Sequence, residues 1–533
     1  MEYREPTRII TYENCVHEER ILQGNPCQAG FNNSNCMILK KGGYLVLDFG
    51  REIHGGVTVT TMAVSEKAGR LRIVFGESVM EALSTIGEKN ATNDHSVRDM
   101  AVEMHGWSTM TFGQTGFRFV KIEAVNADFE LKAVKAKTVI RDIPYIGSFT
   151  CNDERLNEIW KVGAYTVQLV MQDYLWDGIK RDRDVWIGDM HPEVSTIRTV
   201  FGKQDVVEKS LDYVRNDTPD GHWMNGIPTY SMWWVIIQHD WYMHFGNLDY
   251  LRQQEPCLKS IMTQSFEWID QSFCFESTKK FLDWSSRGLP DEEEGIKAVF
   301  CLGLTYARKL FQFLGDTDYS QKCDSYLQKI CAEPVNIPTN KRISALLTLA
   351  DRNYPGQEAW KKDNTGKEMS CFMGYYVLLA KAKLGQLKEA LDIIREYWGG
   401  MLDKGATTFW EDFDVEWLKD SAGIDEIVPE GKKDIHGDFG KFCYTQFRHS
   451  LCHGWASGPT AFLSEQLAGI RILEPGCKAL EIHPQLAGLE WWNICYPTPY
   501  GIAEIKCRNK NGTVQTEISA PGPVKIIQRK ENG

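Results

Sequence analysis

The feature that most constrains the fold is a double change in the spacing of apolar residues. Up to about residue 147, runs such as YLVLDFG (44–50) and GRLRIVFGE (69–77) alternate apolar with polar residues between glycine-rich loops, which is typical of strands in a β-sandwich. From 148 to about 467 apolar residues recur every three or four positions, which indicates helices. From about 468 to 533 the alternation returns. The pattern predicts an N-terminal β-sandwich (1–147), a helical domain (148–467) and a C-terminal β-sandwich (468–533).

Length and repeats agree with several domains. A chain of 533 residues exceeds what one hydrophobic core usually supports. No fixed-period repeat is found, which argues against a solenoid. In the helical part the spacing predicts helices over 152–171, 193–214, 231–245 and 251–269.

Charge and cysteine usage exclude several classes of protein. The net charge is -12 and no block of Lys or Arg stands out, so nucleic acid and anionic membrane are poor partners. The 15 cysteines are scattered without a Cys-x-x-Cys pair, which argues against a zinc ribbon or a disulfide framework and for a reducing compartment. The N-terminus has no apolar signal region and no long apolar run follows. We therefore expect a cytoplasmic location.

The stretch WDGIKRDRDVWIGDMHPE (176–193) is the densest in charge and fits no regular element. It interleaves five carboxylates with three basic residues and two tryptophans, and neither a period of 2 nor one of 3.6 runs through it. Following a helix with a buried face, such a loop could form the floor of a polar pocket. It could equally be a solvated surface loop with incidental ion pairs.

This loop resembles the signature loop of the α-L-rhamnosidases of glycoside hydrolase family 78, Asp-x-x-x-Arg-Glu-Arg-x-x-Trp-x-Gly-Asp. The residues in register are Asp177, Arg181, Arg183, Trp186, Gly188 and Asp189. The segments LDFGREIHGG, before the helical domain, and GIRILEPGCKALEIHP, after it, also resemble that family. The resemblance implies an (α/α)6 barrel flanked by N-terminal and C-terminal β-sandwich domains, and removal of terminal α-L-rhamnose by inverting hydrolysis.

Glu411 is the second carboxylate that such chemistry needs. Glycoside hydrolysis uses one carboxyl group as acid and another as base or nucleophile. The segment GATTFWEDFD (405–414) resembles the family's Gly-Ala-Thr-Thr-x-Trp-Glu, whose Glu is the general base. The resemblance therefore assigns the base to Glu411. Without it, an exposed loop carboxylate would be the ordinary interpretation.

Asp182 stands where the family has its general acid, Glu. Asp is one methylene shorter and its ordinary pKa is lower, ~3.9 against ~4.3. It can act as an acid if burial or a neighbouring carboxylate raises that value and the loop carries it close enough to the glycosidic oxygen. Glu193 and Asp184 are the substitutes if it does not. A site that binds without cleaving is the remaining alternative.

Further sugar contacts follow from the resemblance. Carboxylate and guanidinium groups can hold vicinal hydroxyls in fixed geometry, and Trp186 could face the methyl group of rhamnose. Without the resemblance, a histidine in an aromatic setting such as His453 is more often a core residue. The predicted substrate-binding residues are Asp177, Arg181, Trp186, Asp189, Asp283, Trp284, Trp410, His453 and Trp455.

Cofactor and metal motifs are absent from the sequence. There is no His-Glu-x-x-His, EF-hand or His/Cys cluster, and no phosphate-binding glycine loop, so we expect neither a metal nor another cofactor. The expected partner is a rhamnose-containing oligosaccharide or glycoside. The alternatives are a related six-hairpin glycosidase acting on another sugar, including a uronic-acid-linked one, and a rhamnoside-binding protein without turnover. The sequence does not define the aglycone, the linkage or the oligomeric state.

Overall fold

The N-terminal part of the chain is built from strands. In the computed structural model, which describes residues 2–273 and 280–529, they are β1 (Glu2–Arg4), β2 (Arg8–Val16), β3 (Met37–Val64), β4 (Gly69–Gly76), β5 (Asp99–Met104), β6 (Ser108–Ala124) and β7 (Phe129–Thr138). A short helix, α1 (Val79–Leu83), lies between β4 and β5. Strands were predicted here, and strands are found.

One long strand joins them into a single hydrogen-bonded sheet. β3 has 28 residues; its first half pairs with β2 and β6, and its second half with β6 and β7. Because β7 also pairs with residues 37–39 of β3, the sheet curls back on itself. Its core includes the buried rings of Phe49, Phe117 and Phe129. Alternation alone could not show that the predicted strands share one sheet.

The middle of the chain is helical. Its helices are α2 (Glu154–Val170), α3 (Met190–Val200), α4 (Asp205–Asp217), α5 (Pro228–Phe245), α6 (Leu248–Asp270), α7 (Glu292–Leu314), α8 (Thr317–Cys331), α9 (Lys341–Leu349), α10 (Gln357–Trp360), α11 (Cys371–Lys383), α12 (Leu387–Asp403) and α13 (Gly458–Glu465). The single helix predicted over 193–214 is wrong. Gly202 has a φ of 69°, which no right-handed helix accommodates, so α3 and α4 are separate.

The helices pack around a common centre. α3 contacts α5, α5 contacts α7, α7 contacts α9, α9 contacts α11, α11 contacts α13, and α13 returns to contact α3. Helices α6, α8 and α12 pack against members of this ring. Almost every residue of α5 and α11 is buried, as expected of helices that are apolar on all sides. None of the helices described here is long and apolar enough to span a membrane.

The C-terminal part returns to strands. They are β11 (Arg471–Glu474), β12 (Ala479–Ile482), β13 (Trp491–Thr498), β14 (Gly501–Lys510), β15 (Thr513–Ser519) and β16 (Lys525–Gln528), preceded in the chain by β8 (Ser148–Cys151) and the short pair β9 (Ser421–Ala422) and β10 (Lys433–Asp434). They form a three-stranded sheet, β11-β12-β16, and a four-stranded sheet, β15-β14-β13-β8. The strand before the helices, β8, thus pairs with a strand that follows them.

Candidate active site

The loop between α2 and α3 forms the floor of the candidate site. A bridge between Gly178 and His453 ties it to a distant segment. At its turn Asp182 and Arg183 have φ values of 50° and 59°, a region that residues other than glycine rarely occupy. The buried charged residues of the loop are Asp177, Lys180, Arg181 and Asp189. The loop therefore faces the interior, as the pocket-floor interpretation requires and the solvated-loop interpretation does not.

A cavity above this loop brings distant predicted residues together. It is lined by Asp177, Arg181, Asp182, Trp186, Asp189, Ile227, Tyr230, Phe281, Trp284, Glu411, Cys443, His453 and Trp455. All the predicted site residues except Asp283 and Trp410 are in this set. Their functional roles remain predictions, and the fold brings these side chains together around one cavity.

Arg181 contacts both candidate catalytic carboxylates. Its Nη2 donates to Oε1 of Glu411 at 2.5 Å, and its Nη1 lies 3.5 Å from Oδ1 of Asp182. Because one rigid guanidinium spans the two contacts, these two oxygens are at most about 8.5 Å apart. Although burial lowers the pKa of Arg181, the charge of Glu411 raises it above its ordinary value. The guanidinium is therefore a permanent cation between the two carboxyl groups.

Glu411 is fixed at both ends of its carboxylate and through its backbone. Oε2 accepts a hydrogen bond from the amide of Ser450 at 3.0 Å, while Oε1 is held by Arg181. The indole of Trp455 donates to the Glu411 carbonyl at 3.0 Å. The residue is only 4% exposed. Asp182, with 25% of its side chain exposed, lies at the more open side of the pair.

His453 and Asp189 form a buried ion pair on the opposite wall. His453 Nε2 lies 3.0 Å from Oδ2 of Asp189, whose Oδ1 accepts from the Tyr230 hydroxyl at 3.2 Å. Burial lowers the pKa of His453, but the hydrogen bond to Asp189 and the charge of Glu411 raise it to about 9. The imidazole is therefore a cation at neutral pH. The resemblance, rather than the core interpretation, placed His453 correctly in the pocket.

Two more carboxyl groups lie close to this wall. Burial raises the pKa of Asp177 well above its usual range, and Asp182 and Asp189 raise it further. Burial likewise raises the pKa of Glu193, with added repulsion from Asp189 and Asp177. Glu193 is fully buried, does not line the cavity, and has no hydrogen-bond partner for its carboxyl oxygens among the described residues. As a substitute acid it therefore lacks access to a substrate.

Aromatic rings shape the apolar side of the cavity. Trp186 meets Tyr230 edge to face, with ring centroids 6.2 Å apart. Trp284 packs in the same way against Phe281 at 5.2 Å. Tyr230 and Phe281 were not predicted as site residues. Tyr230 begins an apolar stretch that is typical of a buried helix, and the sequence around Phe281 does not mark that residue as part of a site. Such faces suit the apolar surface of a sugar.

Asp283 and Trp410 do not line the cavity. Asp283 is fully buried, and its Oδ2 accepts from the hydroxyls of Ser285 at 2.6 Å and Ser370 at 2.5 Å. Trp410 is 1% exposed and packs edge to face on Phe413. Each is next in the chain to a lining residue, Trp284 or Glu411, and the role of Asp283 and Trp410 as sugar contacts stays a prediction.

Buried acids from the N-terminal part of the chain contact the loop that forms the floor of the site. Lys180 Nζ lies 2.8 Å from Glu81 and 3.3 Å from Glu77, two buried acids beside α1. Glu77 Oε2 also accepts from the amide of Leu451 at 2.7 Å, next to the residue that holds Glu411. With His436, Glu77 and Glu81 have the spacing of a metal site, the one such group among the described residues. Arg98 also pairs with Glu81 at 3.0 Å, so the Lys180 and Arg98 cations together balance the two acids.

A second groove adjoins the cavity and shares Trp186 with it. It includes Asp184, the other substitute acid, together with Asp217 and the rings of Tyr213 and Trp223. Burial raises the pKa of Asp184, and the charge of Asp182 raises it further. Asp184 thus lines the neighbouring groove and not the cavity in which Arg181 contacts Asp182 and Glu411.

Part of the chain matches a known family of domains. Residues 144–322 match the family model of the bacterial alpha-L-rhamnosidase 6 hairpin glycosidase domain. This segment includes the signature loop and the helices around it. This part of the chain is therefore similar to a six-hairpin glycosidase domain.

Three rhamnosidases resemble this chain in sequence or in fold. An alpha-L-rhamnosidase of Formosa agariphila is 25% identical over 181 residues, which are 32% of this chain and 19% of that protein. The structure is similar to the GH78 family rhamnosidase of Bacillus sp. GL1 (TM-score 0.77, 18% identity, 96% of this chain and 56% of that chain). It is also similar to a rhamnosidase from Klebsiella oxytoca with rhamnose bound (TM-score 0.66, 18% identity, 87% of this chain and 95% of that chain).

These similarities confirm the resemblance stated from the sequence. The fold is the mixed α and β multidomain fold of the GH78 rhamnosidases, which are glycoside hydrolases. At these identities the structural likeness establishes the fold alone. The chain spans about a fifth of the curated relative and little more than half of the Bacillus protein.

Proposed function

We propose that this protein is an exo-acting glycoside hydrolase that removes terminal α-L-rhamnose, with Asp182 as general acid and Glu411 as general base. The observation that carries the proposal is that the Arg181 guanidinium contacts the carboxyl groups of both Asp182 and Glu411 at one cavity. Two carboxyl groups facing one cavity are the requirement for this chemistry. The ring of α3, α5, α7, α9, α11 and α13 supports a second proposal, that the helical domain is an (α/α)6 barrel with the site at one end.

The proposed reaction is a single displacement with inversion. Asp182 gives its proton to the glycosidic oxygen as the bond to the anomeric carbon breaks. A water molecule attacks that carbon from the opposite face and transfers a proton to Glu411. Inverting enzymes keep their carboxyl groups roughly 6.5–9.5 Å apart to leave room for this water, and retaining enzymes ~5–5.5 Å. The upper limit set by Arg181 is compatible with both, so inversion rests on the family resemblance.

The charges at the base fit this role. Arg181 and the Ser450 amide each donate to one oxygen of Glu411 and orient its carboxyl group, with lone pairs left for a water. Positioned proton transfer typically contributes a factor of 10² to 10⁴. A uronic-acid substrate would require a basic group without a partner. Of the described residues lining the cavity, Arg181 and His453 are basic and both are already paired.

The test is release of p-nitrophenol from p-nitrophenyl α-L-rhamnoside. We expect turnover by the wild type and a loss of at least about a hundredfold in kcat for Glu411→Gln. Asp182→Asn should lose less on this activated leaving group and more on an alkyl rhamnoside. Glu430→Gln, an exposed carboxylate of the same segment, is the control. Rhamnose binding without turnover of either substrate would favour the sugar-binding alternative.

A further inference from the structure

The N-terminal sheet reaches the candidate acid through one side chain, His95. This residue lies in the loop before β5, and its Nε2 is 3.3 Å from Oδ1 of Asp182. The contact joins two segments that are 87 positions apart in the chain. The imidazole contacts the same oxygen of Asp182 that Arg181 approaches at 3.5 Å.

The loop that carries His95 is fixed on both sides of that residue. Asp94 forms an ion pair with Arg448. The Ser96 hydroxyl donates to the carbonyl of Lys180 at 2.9 Å, one residue before Arg181. His95 itself has a φ of 63°, so its backbone is held in the left-handed region. The position of the imidazole is therefore set by the packing of the two domains.

The two loops hold each other in register. Arg183 donates from Nη2 to the carbonyl of His95 at 2.6 Å and from Nη1 to the carbonyl of Gln114 at 3.1 Å. These contacts support the left-handed conformation of Asp182 and Arg183. The turn that carries Asp182 into the cavity therefore packs against the loop that carries His95.

We propose that His95 is a positioning residue for Asp182 and that the two side chains hold the acidic proton together. The proposal rests on the proposed function, in which Asp182 is the general acid. A carboxyl group beside Arg181 alone favours its ionised form, because the cation stabilises the anion. Imidazole groups exchange protons in the neutral range. The contact between Nε2 and Oδ1 therefore gives Asp182 a neighbour with which it can share a proton, whereas the Arg181 guanidinium cannot give one up.

The proton balance of the step is simple. Asp182 transfers the shared proton to the glycosidic oxygen, which keeps the electron pair of the broken bond. The pair is left as an aspartate and a neutral imidazole, and a proton from solvent recharges it. The ionisable groups next to the pair are Asp94, Asp177, Arg181, Arg183, Asp184 and Cys443. Behind them, Arg448 pairs with Asp94, Glu411 with Arg181, and Asp217 lies near Asp184.

The test compares an alkyl α-L-rhamnoside, whose leaving group needs protonation, with the p-nitrophenyl substrate, which needs it little. His95→Asn removes the imidazole and keeps a residue type that tolerates positive φ. We expect kcat/KM to fall at least about tenfold on the alkyl substrate and less than about threefold on the aryl one. The basic limb of the pH profile should also move to lower pH, since the pair loses one of its two proton-binding groups.

Two comparisons separate a proton role from a structural one. In Asp182→Asn, adding His95→Asn should reduce the rate little further, because the histidine acts through that carboxyl group. His105→Asn, in a second His–carboxylate pair (3.4 Å from Glu103) on the same sheet, is the matched control and should change neither substrate. Equal losses on both substrates, or additive effects in the double variant, would overturn the inference while leaving the proposed function intact. A wild type inactive on both substrates would remove the proposed function and this inference with it.

Discussion

The two β regions of the molecule differ in what they touch. The N-terminal region contacts the loop between α2 and α3 through His95 and the Lys180 ion pairs. The C-terminal sheets contact the far end of helix α5, where His244 Nε2 lies 3.0 Å from the carbonyl of Pro497. Both regions bury apolar side chains, such as Phe117 in the first and Ile494 in the second. The comparison teaches that the same kind of structure can be part of a site or only part of the scaffold, according to the end of the helical domain it covers.

The largest effects are expected when one buried acid at each interface is replaced by its amide. Glu77→Gln removes the carboxylate that pairs with Lys180 and accepts from the Leu451 amide. We expect a loss of about 3 kcal/mol in the free energy of unfolding, because the remaining buried charges lose a partner. We also expect at least a tenfold fall in kcat, since the segment that holds Glu411 shifts. Denaturant titration and steady-state kinetics measure both.

Glu465→Gln is the matched change at the C-terminal interface. Glu465 accepts from Tyr496 at 3.1 Å and from Arg198 at 3.1 Å. Its loss should lower stability by a similar amount, about 3 kcal/mol, and leave kcat of the folded protein within about twofold. If both variants lose the same fraction of kcat, the N-terminal sheet has no special relation to the site.

Two buried histidines should give opposite pH dependences. His453, in the site, has its pKa raised to about 9 because the Asp189 and Glu411 contacts outweigh burial. Its contribution, about 3 kcal/mol, is complete below about pH 6.5 and is lost as the pH rises to about 9. His453→Gln should therefore flatten the stability curve on the alkaline side. A curve unchanged between pH 6.5 and 9 would contradict the ion pair.

His244, at the C-terminal interface, provides the reverse case. Burial lowers its pKa to about 3, so it stays neutral in the folded protein while the unfolded chain takes up a proton below about pH 6.5. Stability is lost as the pH falls, and His244→Gln should remove that acid-side slope. Urea titrations at pH 5 and pH 7 measure it. His105→Gln, at an exposed histidine, should leave both slopes as they are in the wild type.

The smallest effect is expected at the hairpin between β14 and β15. Asn511 and Gly512 have φ values of 54° and 84°, the pattern of the tight two-residue turn that an Asn-Gly pair favours. Gly512→Ala meets no other atom but strains the backbone, at a cost of about 1 kcal/mol. Activity should not change. A fall in kcat here would mean that the C-terminal sheets do influence the site.

The sequence predicted local features well and contacts between domains poorly. The order of strands and helices followed from apolar spacing, and the loop register placed Asp177, Arg181 and Asp189 in one pocket. The break after α3 was missed because Gly202 alone does not outweigh a helical pattern on both sides. The motifs could not show that Asp283 and Trp410 are buried and do not line the cavity, because a motif fixes the segment and not the environment of each side chain.

The contribution of His95 could not be predicted from the sequence. It depends on how the curled N-terminal sheet docks on the loop, and no spacing rule links residues 95 and 182. The same holds for Glu77 and Lys180, whose partners lie in different domains. Each looks like an ordinary surface charge until burial and pairing are known.

The most direct test of the central claim, that Asp182 and Glu411 act as acid and base on either side of a terminal rhamnose, is proton NMR of the hydrolysis of an alkyl α-L-rhamnoside. The anomeric signal of the first rhamnose released reports the stereochemistry before mutarotation. The account predicts the β-anomer first, because water attacks from the face opposite the leaving group. Release of the α-anomer first would show retention and contradict the assignment of Glu411 as a general base.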